Sequence, residues 1–307
     1  MAKPGKLQTL LEYAAAKSVL TSLGLMPPPA AYASGRAVAK LAYFLAGNLR
    51  RTGATNLRLA FPDKSDSERA ELLRESFDSL GRVLGLFSQF SSRSRGELLQ
   101  LIEVQGLENL EEAKGVHGNR LILITAHLGA WELTSFGLAL LGHPFTFLVR
   151  RMDNPRLEQF VDRVRSRFGN QTIDKQSAAR SMLKILRSGE TTLGLLPDLN
   201  TLDDEAIFVD FFGVPAATTF IVAKLALRTG APLIPIMAPW DAEKKKFLLI
   251  ALPPISIEPS GDEDADVRLL TAKMSSLLEN EIRKYPGQWL WIHKRWKTRP
   301  PGQPPIY

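Results

Sequence analysis

Residues 121–142 read LILITAHLGAWELTSFGLALLG, and the reading of this stretch decides the fold. The apolar and β-branched run 121–125 leads into Ala126-His127, and Gly129 opens a second apolar segment that carries Glu132 near its start and continues to Gly142. A short apolar run bounded by turn residues reads as a buried strand, and the longer one behind the glycine as a helix. The unit is therefore strand, tight turn, helix, with one imidazole and one carboxylate at the strand's C-terminal end. Open α/β sheets keep their chemistry at that end.

Working outward, the same grammar continues downstream. Strands are expected at 121–125, 145–149, 192–196, 233–237 and 247–251, with helices at 131–141, 155–168, 177–188, 219–229 and 267–285. Strand-helix alternation argues for an α/β fold, a mostly parallel central sheet covered by helices on both faces. Upstream, Ser65 or Asp66 is a good N-cap with Glu68 placed to close a capping box, and Leu72, Leu73, Phe77, Leu80 and Leu84 recur at helical spacing. Residues 7–25 and 30–48 read as an N-terminal apolar helical region, two helices joined by Pro27-Pro28-Pro29.

The uncharged run 18–35 has about the length of a membrane span, but three prolines cannot sit inside one continuous helix. A spanning helix is not expected. A core helical hairpin and a pair of helices lying on a bilayer both fit the pattern, and Arg50-Arg51 beside them suits an anionic leaflet. The expected organisation is a membrane-associating hairpin over 1–50, an α/β domain over 51–300 and a proline-rich tail over 301–307.

With 307 residues and 45% hydrophobic content, the chain is long enough for a sizeable core. It has no cysteine, which excludes disulfides, thiolate metal sites and cysteine nucleophiles. A net charge of +7 suits anionic partners: phospholipid head groups, phosphorylated substrates, acidic carrier proteins or nucleic acid. No basic-aromatic RNA-binding pattern accompanies that charge, so no nucleic-acid partner is expected. The chain also lacks a phosphate loop, a G-x-G-x-x-G fingerprint, an H-E-x-x-H helix and a G-x-S-x-G elbow. Nucleotide-driven enzymes, zincins and α/β-hydrolases lose ground accordingly, and no metal ligands are expected.

Of the four histidines, His117 and His143 fall in loops and His293 in an aromatic, basic C-terminal run; His127 alone follows a buried strand with a carboxylate close behind it. If the helix starts near Gly129, Glu132 falls in the first turn, where the helix dipole favours its charge. A carboxylate there is placed to accept an imidazole N–H, fix the tautomer and stabilise the imidazolium. Gly129 permits close approach of another chain or a substrate, and the amides of the first turn are placed to receive an oxyanion. This equipment suits acyl transfer to a hydroxyl without a covalent enzyme intermediate. The alternative is a capping or core-satisfying imidazole.

The hexapeptide His127 to Glu132, H-x-x-x-x-E, resembles the signature of the bacterial lipid A biosynthesis (late) acyltransferases, within the wider glycerolipid acyltransferase superfamily. Further blocks match in order: NLRLAFPD (56–63), LVRRMDNPRLEQFV (148–161), the Pro-Asp at 197–198, VDFFGVPAATT (209–219) and YPGQWLWIHKRWKTRP (285–300). The resemblance covers roughly residues 30 to 300. It implies that His127 deprotonates an acceptor hydroxyl, that Glu132 orients it, and that the hydroxyl attacks the thioester of acyl-ACP or acyl-CoA, a co-substrate; no bound cofactor is implied. It assigns Arg150 to an acceptor phosphate, with Arg151 sharing the role, and Asp198 to substrate binding, although the family's D-Q-D-like triplet stands here as Asp-Leu-Asn. It makes Phe212, Gly213 and Pro215 part of a loop lining the acyl or acceptor site. A plain turn is the other reading of that loop. For Trp289, Trp291 and Trp296, core positions stand beside a membrane-interface reading. The implied protein is a membrane-associated O-acyltransferase at the cytoplasmic face of the inner membrane. Its partners are a lipid acceptor, a lipid A precursor or a related lipid, and an acyl carrier protein or CoA thioester. A non-catalytic lipid-binding protein on the same fold is the rival.

Overall fold

The computed structural model describes residues 5–174, 178–202 and 206–307. Four helices lead the chain: α1 (Lys6–Leu25), α2 (Pro28–Leu45), α3 (Gly47–Ala60) and α4 (Asp66–Phe90). Proline ends one helix and opens the next, as its fixed φ and missing N–H dictate. Ser65 caps α4 and Glu68 closes the capping box, satisfying donors that the first turn leaves over. α2 crosses α4 at backbone contact: a Cβ added to Gly81 would lie 2.5 Å from the Gly35 carbonyl oxygen. The N-terminal hairpin is thus packed on the body of the protein along one side. Its other side is apolar and open to solvent, with Leu7, Leu11, Leu25, Leu41, Phe44 and Leu45 all exposed. Among the described residues, no helix is long and apolar enough to cross a membrane.

The rest alternates as expected: α5 (Arg95–Leu99), β1 (Ile102–Gln105), α6 (Leu107–His117), β2 (Ile122–Ile124), α7 (Trp131–Leu140), β3 (Thr146–Val149), α8 (Pro155–Arg165), β4 (Gln171–Asp174), α9 (Ala178–Ser188) and β5 (Leu193–Leu195). β6 (Ala206–Phe211), β7 (Val214–Thr219), α10 (Ile221–Thr229), β8 (Leu233–Met237), β9 (Trp240–Asp241), β10 (Lys246–Ala251) and α11 (Glu263–Lys284) complete it. The expected helix start at 177 lies outside the described residues.

The main sheet runs β1-β10-β8-β2-β5-β3-β4, with β9 on β10. β8, β2, β5, β3 and β4 are parallel neighbours, while β10 returns antiparallel to β8. The connection 238–245 is too short for a helical crossover, so only a reversal fits. β2 is completely buried at the centre. From it the chain leaves to one side for β3, β4 and β5, and to the other for β8 and β10. That reversal is the topological switch point where such sheets open a crevice. The core clusters lie against both sheet faces, and Trp289, Trp291 and Trp296 are fully buried, which assigns them to the core and not to a membrane interface.

Among the described residues, five strands form beyond the expected set: β1, β4, β6, β7 and β9. β4 (QTID) is a polar edge strand without apolar alternation. β6 and β7 make a separate two-stranded hairpin whose turn residues, Phe212 and Gly213, have φ of 57° and 74°. Positive φ at both central positions gives a turn twist that matches the flanking strands.

Candidate active site

β2 ends in a kinked segment pinned from two sides. The Gly129 amide donates to the Gln288 carbonyl (2.9 Å) and the Ala130 amide to the Ala238 carbonyl (2.8 Å), while the His127 carbonyl accepts from Leu290 N–H (3.0 Å). Gly129 has φ +56°, and a Cβ there would lie 2.4 Å from the Ala238 oxygen. Glycine is required by this contact with the backbone beyond β8, the close approach of another stretch of chain. The turn delivers His127 to the switch point and starts α7 at Trp131, with Glu132 in its first turn as expected.

Asp198, just past β5, lies directly behind His127. Its Oδ1 is 2.8 Å from His127 Nδ1, and its Oδ2 accepts from the His127 amide (2.7 Å) and from Trp289 Nε1 (2.8 Å). Burial alone would raise this carboxyl, but the His127 charge and the converging donors outweigh it and hold its pKa below the ordinary carboxylate value. For His127, burial pulls the pKa down; Asp198, helped more distantly by Glu132, overcomes that and raises it above the ordinary imidazole value. Nδ1 therefore carries the proton, and Nε2 is left as the basic nitrogen.

The expected orienting contact from Glu132 is not made. Glu132 binds Arg165, from the last turn of α8, through both carboxylate oxygens, with Arg165 Nε at 3.1 Å. Both side chains are under 20% exposed. The reason is direction: α7 carries the Glu132 side chain toward α8, while β5 brings Asp198 beneath the imidazole. Asp198, expected to bind substrate, has the orienting position instead.

A cavity of about 1160 Å³ opens over this corner. His127, Trp131, Glu132, Arg150, Arg165, Arg180, Asn200 and His293 line its polar part, and Leu138, Phe145, Phe147 and Ile236 belong to its apolar wall. The Gly129 and Ala130 amides are spent on carbonyls and Leu133 N–H on Ala130. Trp131 and Glu132 supply the remaining first-turn amides. Arg150 and Arg180 make no ion pair among the described residues. Arg151, expected to share the role of Arg150, instead pairs with Glu158 (2.7 Å) and sits outside the cavity wall.

Phe212, Gly213 and Pro215 do not line the cavity. Phe212 is buried against Phe61 and Trp291, its ring covered by the Arg283 guanidinium at 4.4 Å, and its amide donates to Glu279 (2.6 Å). Gly213 is the turn glycine, and Pro215 is exposed on β7. The segment is a hairpin turn docked on α11. Sequence reasoning missed Arg165, Arg180 and His293 as cavity residues. No local pattern separates them from ordinary surface cations or a core imidazole, because only the docking of their elements around the crevice turns them inward.

Residues 5–298 match the family model described as bacterial lipid A biosynthesis acyltransferase. The chain is 29% identical to the lipid A biosynthesis lauroyltransferase of Escherichia coli (strain K12) over 92% of this chain and 90% of that one. It is 28% identical to the palmitoleoyltransferase of the same organism over 82% and 80%, and 27% identical to a lipid A biosynthesis acyltransferase of Haemophilus influenzae over 83% and 77%.

Proposed function

The chain belongs to the bacterial lipid A biosynthesis acyltransferase family, and from that premise we propose that it moves a fatty acyl group from acyl-ACP or acyl-CoA to a hydroxyl of a lipid A precursor or a related lipid, with His127 as general base. The observation that carries the mechanism is the buried Asp198 on His127 Nδ1, at the wall of a large cavity. Nε2 takes the proton of the acceptor hydroxyl as its oxygen attacks the thioester carbonyl, and Asp198 stabilises the imidazolium that forms. The Trp131 and Glu132 amides, at the positive end of α7, receive the developing oxyanion. Collapse expels the thiolate, which recovers the proton from His127.

Glu132 contributes in two ways. It holds Arg165 at the cavity wall, and its charge adds to the basicity of His127. Arg150 and Arg180 receive an acceptor phosphate, since guanidinium groups match phosphate oxygens bidentately. The apolar wall around Phe145, Phe147 and Leu138 takes the acyl chain, in the lauroyl-to-palmitoleoyl range that the relatives' names span.

The protein works at the cytoplasmic face of the inner membrane as a peripheral or monotopic protein. Support comes from the exposed leucines and Phe44 of the N-terminal hairpin, flanked by exposed Arg36, Lys40 and Arg51.

The test is His127→Ala, assayed by mass spectrometry of the lipid products with an acyl thioester donor and a lipid acceptor. Loss of transfer with lipid binding retained is expected. Undiminished transfer removes His127 from the chemistry, and absence of transfer in the unmodified protein favours the non-catalytic lipid-binding reading.

A further inference from the structure

His293 shares the cavity wall with His127 but comes from the C-terminal run, far from β2 in sequence. Its backbone is fixed on both sides: the amide donates to the Leu290 carbonyl (3.2 Å), and the carbonyl accepts from Asn56 Nδ2 (2.6 Å). Its Nε2 faces the Asn200 amide at 3.4 Å. An amide N–H can only donate, so Nε2 must present its lone pair and the ring proton sits on Nδ1. Nδ1 has no hydrogen-bond acceptor among the described residues.

The surroundings keep this ring neutral. Burial disfavours its charged form, His127, Arg295 and Lys297 add repulsion, and among the described residues only Asp198 opposes them. Arg295 is fully buried, held by the Ala217 carbonyl (2.7 Å) and the Thr218 hydroxyl (2.6 Å), with no carboxylate partner among the described residues. A second imidazole therefore lines the cavity with the base without competing for the proton the base takes.

We propose that His293, through its Nδ1–H, donates a hydrogen bond to the thioester carbonyl oxygen as that oxygen becomes an oxyanion; the inference rests on the acyl-transfer reading of the His127 site. A neutral, fixed donor suits this task because it needs no reorganisation at the moment of reaction. An acceptor phosphate would be served better by the cations Arg150 and Arg180 on the same wall. In the step, the acceptor O–H proton passes to His127 Nε2 and a C–O bond forms. The carbonyl π pair moves onto the oxygen facing His293. On collapse that pair re-forms the carbonyl, the C–S bond breaks, and the thiolate takes the proton back from His127.

The test compares three substitutions in the full chain, with an acyl thioester donor and a lipid acceptor, reading kcat and KM separately. His293→Leu removes the donor, and a fall in kcat of about 100-fold with little change in either KM is expected, the scale of one lost oxyanion donor. His293→Asn places an amide N–H where Nδ1 stood and should recover at least about tenfold over the leucine variant. His293→Gln directs its amide toward Asn200 and should not. A leucine variant with unchanged kcat, or one whose acceptor KM rises while kcat holds, overturns the proposal. If the leucine variant fails to fold, the asparagine and glutamine variants decide it, since equal activity in those two also overturns it. His127→Ala in the same assay separates the two readings. Transfer surviving there sinks the base assignment itself, whereas an inactive alanine variant beside a fully active leucine variant sinks only the role of His293.

Discussion

Asp198→Asn is the sharpest perturbation, because the contacts dictate how the amide must sit. Oδ2 accepts from two N–H groups, the His127 amide and Trp289 Nε1, while Oδ1 meets only His127 Nδ1. An asparagine keeps its one carbonyl oxygen where two donors converge and turns its NH2 toward the imidazole. Nδ1 must then present a lone pair, the ring proton moves to Nε2, and the nitrogen facing the cavity can no longer accept a proton. The packing hardly changes, so the fold should lose about 1.5–3 kcal/mol, the scale of one hydrogen bond to a charged group. The activity should fall much further. A base held in the wrong tautomer costs about 10,000-fold in kcat, close to 5.4 kcal/mol of barrier. The assay is acyl transfer to a lipid acceptor followed by mass spectrometry, beside thermal unfolding of the same preparation. A variant retaining more than about a tenth of the wild-type kcat refutes the reasoning, as does one whose loss of activity follows a collapse of stability.

Other outcomes follow from neighbouring contacts. Because Asp198 and Glu132 raise His127 above 6.5 against the pull of burial, the acid limb of kcat/KM should have its midpoint above that value and shift downward in Glu132→Gln. The same coupling stabilises the fold fully below the ordinary imidazole pKa and is lost as pH rises through the raised one, which pH-dependent unfolding will read. Glu132→Ala leaves the Arg165 guanidinium poorly solvated and unpaired, and should cost about 3 kcal/mol, part of it restored by adding Arg165→Met; a denaturant double-mutant cycle measures the coupling. Gly129→Ala meets both a positive φ and a carbonyl oxygen 2.4 Å from the new Cβ, so a loss of roughly 2 kcal/mol or more is expected in chemical denaturation.

Much of this fold is local in origin and was readable from the chain alone. Apolar runs of strand length, the capping box at Ser65 and Glu68, and the prolines between α1 and α2 act over a few residues, so their structural consequences follow from sequence. The corner at His127 was legible for the same reason: strand, turn and helix are contiguous there, and Glu132 falls in the first turn of α7 as expected. The β6–β7 hairpin was not legible, since its turn was equally readable as a loop over the site. Docking on α11 and Phe61 settles it.

By itself, then, the sequence determined the alternation of strands and helices and the imidazole at the end of the central strand. Only the tertiary structure decided what that imidazole touches. Asp198 reaches His127 because β5 lies beside β2, and Arg165 takes Glu132 because α8 packs next to α7. Strand order and helix docking are set by the burial of whole faces, and no spacing along the chain encodes which of two acidic residues will end beneath a histidine.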